Sequence, residues 1–440
     1  MVAPHSQNTA PLPTPRSGRT VVVKDMAQLQ RRLFELERAF IVSATTLIPR
    51  VGEPELKYLL CQHVWESASH ARFLRERGRE LSGFGQSETI RPEILRVFHE
   101  ATVGPDAAAS LAGFYQVLKP YLLECYTHYL KATHHLADWP SRRLVEEFIG
   151  DEERHAREMA KWLQVTPTTE VWTDHLATVL TTLGGLDGHA PAALDPDFAW
   201  THETVPYQHP RTCNRAPYPT CSSVFSHDPT ETPIVRDWLV DPKTDARVIR
   251  VMIYVWLMME MDAVDYLSTV FVETPHAPFD LHHDLARHLW DESRHSQFGF
   301  RQLPNLGYDL MTIEHSLDLY DILIHMPPAE RYAMMTMEFE VGSFPTKALI
   351  MDRIRELNDF EADTLLAFDR NDEQNHVRYG HQWLPTMMKL NGHDEPVDEF
   401  IAATKAKFAK MAELHGGKTP HSLTPSVRLT GEKILASIKS

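Results

Sequence analysis

The short string Asp-Glu-x-x-His occurs three times in this sequence, and no other feature constrains the fold as strongly. The copies are Asp151/Glu152/His155, Asp291/Glu292/His295 and Asp372/Glu373/His376. A Glu and a His three residues apart on a helix project from the same face, so both side chains can reach one metal ion. With 60 acidic residues and 25 histidines, chance alone gives roughly half of one acid-acid-x-x-His string in such a chain. Three copies therefore favour a repeated metal-binding unit.

Acidic residues that sit among apolar residues of a predicted helix precede these motifs by about thirty positions, and one more, Glu37, precedes Glu66 by a similar interval. A carboxylate in such a setting is costly to bury unless it is paired or bound to a metal ion. Two antiparallel helices joined by a short turn bring residues at that separation level with one another. The candidates are Glu37, Glu124, Glu260, and Glu338 or Glu340. We expect these acids to face the motif residues inside a bundle.

Each half of the chain offers Glu, then Glu with His, then Glu, then Glu with His, one contribution per helix. That order is the ligand set of a dimetal site in the core of a helical bundle. Four carboxylates neutralise two divalent ions, and their oxygens with two imidazoles suit iron or manganese. The predicted ligands are Glu37, Glu66, His70, Glu124, Glu152 and His155 in the first half, and Glu260, Glu292, His295, Glu338 or Glu340, Glu373 and His376 in the second.

The two halves of the chain also resemble each other in sequence. Trp65-Glu-Ser-Ala-Ser-His70 in the first half corresponds to Trp290-Asp-Glu-Ser-Arg-His295 in the second. Gly150-Asp-Glu-Glu-Arg-His155 and Asn371-Asp-Glu-Gln-Asn-His376 correspond in the same way. Such internal similarity predicts a tandem repeat of one helical bundle.

Apolar residues at three- and four-residue spacing predict helices in two long stretches, separated by a segment rich in Pro, Thr, His and Trp. We therefore expect an all-α chain divided into five segments. These are a disordered N-terminal tail (1–23), a first bundle (24–165), an irregular linker or wrapping segment (166–245), a second bundle (246–392), and a C-terminal helix and tail (393–440).

The motifs resemble those of the ferritin-like di-iron carboxylate superfamily. Asp directly before the ligand Glu, and Arg directly before the His at Arg154 and Arg294, are most similar to its oxygen-activating branch, whose best-known members are soluble methane monooxygenase and the ribonucleotide reductase small subunit. The resemblance implies two ferritin-like four-helix bundles in tandem. It also implies that Asp151, Asp291 and Asp372 orient the ligand histidines, because a ligating imidazole usually donates its free N–H to a carboxylate.

The resemblance further implies an oxidoreductase with two iron ions per active bundle, or manganese in their place, and O2 as co-substrate. Its substrate would be a small organic molecule, oxidised by hydroxylation, desaturation or N-oxygenation. An external electron donor is expected, since the chain carries no flavin or Fe–S motif. Two alternatives stay open: an iron-handling ferroxidase, which a tandem chain with a long linker suits poorly, and a non-catalytic helical scaffold.

The first half departs from the ligand pattern. When Trp65 is aligned with Trp290, Ser67 falls at the position of Glu292 and Glu66 at that of Asp291. Glu66 and His70 are then four residues apart, which still allows them to share a helix face. The first site is therefore either distorted or reduced to a structural role.

Bulk properties exclude some functions. The net charge of −16 argues against a nucleic-acid-binding protein and against binding to an anionic membrane surface. No apolar stretch approaches the length of a membrane span. Four cysteines in 440 residues do not make a disulfide scaffold, so a cytoplasmic location is expected. The oligomeric state is open, and a homo-oligomer is compatible with the sequence.

Overall fold

A computed structural model describes residues 23–81, 88–186, 200, 207–221, 241–313 and 315–414. The predicted N-terminal tail, apart from Val23, and the chain beyond residue 414 lie outside the described residues. The described part is helical except for its loops and one pair of two-residue parallel strands, Thr220–Cys221 and His315–Ser316. This confirms the predicted all-α class. No helix in the described part of the chain has the length and apolar character needed to cross a membrane.

The chain divides into two compact units. Unit 1 comprises the described residues of Met1–Leu47 and His63–Tyr207, and unit 2 those of Ile48–Gln62 and Gln208–Ser440. The helices named in unit 1 are α1 Val23–Ala44, α2 Pro54–Glu80, α3 Pro92–Thr102, α4 Ala107–Ala112, α5 Lys119–Ala132, α6 Trp139–Met159 and α7 Pro167–Thr182, with the first residues of α2 belonging to unit 2. A 3₁₀ turn, Thr45–Leu47, follows α1.

Unit 2 holds a second helical set. Its helices are α8 Ala246–Met259, α9 Met261–Glu273, α10 Phe279–Asn305, α11 Asp318–Leu323, α12 Pro328–Met334, α13 Glu340–Glu356, α14 Phe360–Leu390 and α15 Val397–Leu414, with a 3₁₀ turn at Leu310–Thr312. Helix α10 lies at the centre and packs against α8, α9 and α14. Its Gly299 lets α8 approach closely, because a Cβ there would lie 2.5 Å from the backbone nitrogen of Met258.

Local sequence explains many of the helix ends. Pro92, Pro167 and Pro328 stand in the first turn of their helices, where a missing backbone N–H costs nothing. Asp359 starts α14, and its side chain accepts a hydrogen bond from the backbone of Ala362. The residue before it, Asn358, has a φ of 53°, a left-handed conformation that stops the preceding helix.

One helix was not expected. Helix α7 lies inside the stretch 166–245 that the sequence predicts to be irregular. Thr166 and Thr169 form a capping box at its start, and Trp172, Leu176 and Val179 bury one face at four- and three-residue spacing. The prediction missed this helix because three threonines and a proline at its start resemble loop sequence.

Both units contain a π-helical turn within a longer helix. The turn at Gly113–Leu118 joins α4 to α5, and the turn at Met335–Phe339 joins α12 to α13. Lys119 and Glu340 each follow directly after their turn. Because a π turn carries extra residues, it rotates the side chains that come after it, and such turns are frequent at functional sites.

Candidate metal centre

Unit 2 gathers eight metal-ligating side chains into two groups. Cluster A consists of His288, Glu292, Glu340 and His376, and cluster B of Glu260, His295, Asp369 and Glu373. Within each cluster, one ligating atom from every residue lies within 4.8 Å of the others. All are buried except Glu260, whose side chain is 12% exposed. Helices α10, α13 and α14 and the junction between α8 and α9 supply them.

Helices α10 and α14 contribute to the clusters crosswise. Glu292 of α10 belongs to cluster A, whereas His295, three residues later, belongs to cluster B. The Nδ1 atom of His376 lies 3.1 Å from Oε1 of Glu292, and the Nδ1 atom of His295 lies 3.9 Å from that same oxygen. The Glu and the His of one motif thus fall into different clusters, although their spacing allows both to reach one ion. Residues three apart on a helix diverge in direction by about 60°, enough to face different ions.

Several ligating atoms of these clusters make no hydrogen bond to any described residue although they are fully buried. They are Oε2 of Glu260, Oε1 of Glu292, Nδ1 of His295, Oδ2 of Asp369, Oε2 of Glu373 and Nδ1 of His376. Buried polar atoms in proteins are nearly always satisfied, so a set that converges in one place calls for a partner. Carboxylate oxygens and imidazole nitrogens are donors that suit iron or manganese. The residues present therefore fit a pair of metal ions.

The outward faces of two histidines are held by aspartates from the opposite helix. Nε2 of His295 lies 3.4 Å from Oδ2 of Asp372, and Nε2 of His376 lies 3.4 Å from Oδ2 of Asp291. Arg294 bonds both aspartates, its Nη2 lying 2.6 Å from Asp372. These contacts leave each Nδ1 directed into a cluster, which is the arrangement expected of Asp291 and Asp372.

The charge on these aspartates is stabilised by their neighbours. Burial raises the pKa of Asp291, but hydrogen bonds from His376 and Arg287 and the charge of Arg294 outweigh it and hold that pKa well below its usual range. The pKa of Asp372 is also lowered, since the bond to His295 and the Arg294 charge overcome burial. Both carboxylates are therefore ionised near neutral pH and act as hydrogen-bond acceptors.

The sequence left Glu338 and Glu340 as alternative ligands, and the structure brings only Glu340 into a cluster. Glu338 is part-exposed and forms an ion pair with Lys405. Residues two apart on a helix point in nearly opposite directions, so only one of the pair can face the core.

Sequence reasoning missed His288, Asp369 and Lys347. His288 precedes Glu292 by one helical turn, and Asp369 precedes Glu373 by the same interval. That shared spacing was a signal available in the sequence, because residues four apart lie on one helix face. Lys347 follows Glu340 by two turns, and its Nζ lies 2.5 Å from Oε1 of Glu373 and 2.8 Å from Oδ1 of Asp369.

Unit 1 contains a smaller group, Glu37, His70 and Glu152, which we call cluster C. Nδ1 of His70 lies 2.9 Å from Oε1 of Glu37, and its Nε2 lies 3.1 Å from Oδ2 of Asp151. Asp151 thus holds His70 as Asp372 holds His295. Oε2 of Glu37 and Oε2 of Glu152 make no hydrogen bond to a described residue. Cluster C therefore corresponds to cluster B but contains three candidate ligands instead of four.

The counterpart of cluster A in unit 1 has lost its carboxylates. His63 and His155 stack with ring centroids 3.8 Å apart, as His288 and His376 do at 3.7 Å. Ser67 stands in the place of Glu292, and Lys119, directly after the π turn, stands in the place of Glu340. The Lys119 Nζ lies 3.0 Å from Oγ of Ser67. An ammonium therefore supplies positive charge where unit 2 presents ligands.

Three predicted ligands of unit 1 take other roles. Glu66 accepts a hydrogen bond from Nε2 of His155 at 2.5 Å, the position that Asp291 takes towards His376. His155 is buried, but it belongs to no cluster that could hold a metal ion among the described residues. Glu124 is exposed on α5, because it lies five residues and about 140° round the helix from Lys119. The sequence prediction counted all three as ligands.

Residues 234–417 match a family model described as "Protein of unknown function (DUF455)". This range contains clusters A and B and leaves out cluster C. No curated protein matches the chain. No solved structure matches it either.

Proposed function

We propose that unit 2 is a dimetal carboxylate oxidoreductase of the ferritin-like di-iron superfamily, which activates O2 to oxidise a small organic substrate. Clusters A and B would each hold one ion, iron in both or manganese in one of the two positions. The observation that carries the proposal is the convergence of unsatisfied, fully buried carboxylate and imidazole atoms from four chain segments. Buried acids left without cations would cost several kcal/mol each.

The arrangement of helices supports the same assignment. In unit 1 the inward-facing residues come from α1, α2, α5 and α6, and in unit 2 from the α8–α9 junction, α10, α13 and α14. Each set includes a π turn just before the third contribution. We therefore propose two ferritin-like four-helix bundles in tandem, of which the second carries the chemistry.

Bound iron would supply electrons for the reduction of O2 and a strongly oxidising centre for attack on the substrate. The protein's own residues hold that centre in place. Asp291, Asp372 and Arg294 fix the orientation of His295 and His376, so that Nδ1 of each stays directed inward. An external electron donor would complete each turnover.

Apolar side chains near the clusters would exclude water from the reaction. Leu257 and Met334 are buried, and Trp256 and Phe298 are partly exposed, with the Phe298 ring 6.0 Å from that of His295. A dry, apolar wall protects reactive species from side reactions and favours a small, largely apolar substrate. The partly exposed side of this wall is where we propose that substrate approaches.

The proposal is tested by purifying the full chain after expression with ample iron and manganese. We expect elemental analysis to find about two metal ions in each chain that belong to unit 2. Mössbauer spectroscopy should show the signal of a coupled di-iron pair. O2 consumption should depend on a reductant and on a small organic molecule. A protein recovered without metal, and equally stable, would overturn the proposal. Uptake of many irons per chain would favour the ferroxidase alternative instead.

A further inference from the structure

A positively charged side chain, that of Lys347, lies within cluster B. The Nζ atom of Lys347 lies 2.5 Å from Glu373, 2.8 Å from Asp369 and 3.6 Å from Glu260. Its side chain is 2% exposed. The three carboxylates are members of cluster B, whose ligating atoms all lie within 4.8 Å of one another. The ammonium therefore bonds one oxygen of Asp369 and one of Glu373, whereas the second oxygen of each makes no hydrogen bond to a described residue. A metal ion in cluster B would have to share these carboxylates with the ammonium or displace it.

Cluster A has no such competitor among the described residues. Its four members pair with one another, as in the 3.5 Å approach of His288 to Glu292 and the 3.4 Å approach of His376 to Glu340. They also pair with Asp291 behind His376 and, through Glu292, with His295 of cluster B. It also contains two imidazoles, against one in cluster B. A metal ion entering cluster A displaces no charged group.

We propose that Lys347 acts as a resident cation in cluster B and forces the two clusters to bind metal in a fixed order, cluster A first. The inference rests on the proposed function, because it requires both clusters to bind ions. An ion that enters cluster B binds carboxylates that the ammonium already partners, and its charge repels that of the ammonium. The second ion is consequently bound more weakly, and Lys347 regulates the assembly of the dimetal centre.

Charge balance explains why a lysine is retained beside a metal site. The two clusters hold five carboxylates, Glu260, Glu292, Glu340, Asp369 and Glu373. Two divalent ions neutralise four of these charges and leave one, which a nearby ammonium compensates. Lys347 thus offsets one of the three carboxylate charges of cluster B before the second ion arrives, and it balances the whole centre afterwards.

In unit 1, different residues surround the carboxylates of cluster C. Tyr126 follows Lys119 by seven residues, as Lys347 follows Glu340, and its hydroxyl donates a hydrogen bond to Glu37. Phe148 takes the place of Asp369, four residues before Glu152, and stacks on His70 at 4.1 Å. Cluster C therefore has one carboxylate fewer than cluster B and no lysine at the Lys347 position. Unit 1 instead has its buried lysine at the Glu340 position, where Nζ of Lys119 lies 2.6 Å from Oε1 of Glu152 of cluster C.

The experiment titrates the metal-free full chain with Mn²⁺, followed by calorimetry and by electron paramagnetic resonance. Calorimetry should resolve two binding steps in unit 2 whose affinities differ by about tenfold or more, because the second ion must bind carboxylates that a buried ammonium already partners. A mononuclear six-line signal should dominate at low loading, and a spin-coupled signal should grow only as the weaker step fills. In Lys347→Met the weaker step should tighten by about tenfold or more and the coupled signal should appear at lower loading.

Lys405→Met is the matched control, because Lys405 pairs with Glu338 outside both clusters. Its two binding steps should equal those of the wild type. If Lys347→Met does not fold, the inference is tested by the order in which the mononuclear and the spin-coupled signals appear in the wild type. Equal affinities for both ions in the wild type, or a Lys347→Met titration like that of the wild type, would overturn this inference and leave the dimetal proposal standing. A wild-type chain that binds no Mn²⁺ and no Fe²⁺ would overturn the proposed function itself.

Discussion

The Nζ atom of Lys119 lies 2.6 Å from Oε1 of Glu152, and both side chains are buried in unit 1. Lys119 also lies over the ring of Phe40, 3.9 Å from its centroid. Burial raises the pKa of Glu152, but the charge of Lys119 and the contact with His155 outweigh it and lower that pKa to about 2. The pair is a buried salt bridge, in which Lys119 stands at the position that the candidate ligand Glu340 takes in unit 2. It follows that unit 1 depends on a lysine for its internal charge balance.

Removing this lysine should destabilise unit 1. Lys119→Met leaves Glu152 buried without its partner, and losing one member of a buried ion pair costs about 3 kcal/mol or more. The measurement is chemical denaturation, with attention to the first transition, since a two-unit chain need not unfold in one step. Lys131→Met on the same helix is the control, because Lys131 is exposed. Equal stability of the two variants would contradict the prediction.

Glu340 and Glu338 should differ in their effect on metal content. Glu340→Gln removes a carboxylate from cluster A, so we expect the loss of about one ion per chain. Glu338→Gln should retain the wild-type content, because that side chain faces Lys405 outside the clusters. Elemental analysis of the two purified variants distinguishes them. The assignment of Glu340 fails if Glu338→Gln loses the metal and Glu340→Gln keeps it.

The crosswise pairing of aspartates and histidines predicts which cluster each aspartate supports. Asp372→Asn should weaken binding at cluster B through His295, and Asp291→Asn should weaken cluster A through His376. Loss of such an outer hydrogen-bond partner typically lowers metal affinity by about 10- to 100-fold. A Mn²⁺ titration of each variant shows which binding step weakens. If each aspartate affected instead the cluster that contains the His of its own motif, the crosswise geometry would be wrong.

The π turn before Glu340 should be sensitive to one glycine on α14. A Cβ on Gly380 would lie 2.5 Å from Cβ of Thr336 within that turn, so Gly380→Ala should destabilise unit 2 and lower its metal content. Gly342→Ala is the matched control, because a Cβ there meets nothing within 4 Å. Alanine in a helix interior is better than glycine by roughly 0.5–1 kcal/mol, so this control should be as stable as the wild type or more so. Thermal melts of both variants check the sign of each effect.

Restoring carboxylates to unit 1 should create a metal site there. The double variant Ser67→Glu/Lys119→Glu places Glu at the positions that correspond to Glu292 and Glu340 of cluster A, and His63 and His155 are stacked there as His288 and His376 are. We expect an increase of about one ion per chain over the wild type, with Ser67→Gln/Lys119→Gln as the uncharged control. An unchanged metal content in a folded double variant would count against equivalence of the two units.

Much of the candidate site could be predicted because its signals are local. Glu292, His295, Glu373 and His376 were found from their spacing alone, and the structure brings all four into clusters A and B. Helix α7 and Glu124 show the limit of that reasoning. The threonine-rich start of α7 resembles a loop, and Glu124 has apolar neighbours along the chain although its side chain points outward.

The sequence by itself determined the helical class and the residues capable of binding metal, because periodicity and motif spacing record which side chains share one helix face. Only the tertiary structure decided which side chains meet across helices. The crosswise sharing of His295 and His376, the choice of Glu340 over Glu338, and the placement of Lys347 in cluster B depend on how α10, α13 and α14 are rotated against one another. Packing and the π turn set that rotation, and neither is a property of any single helix.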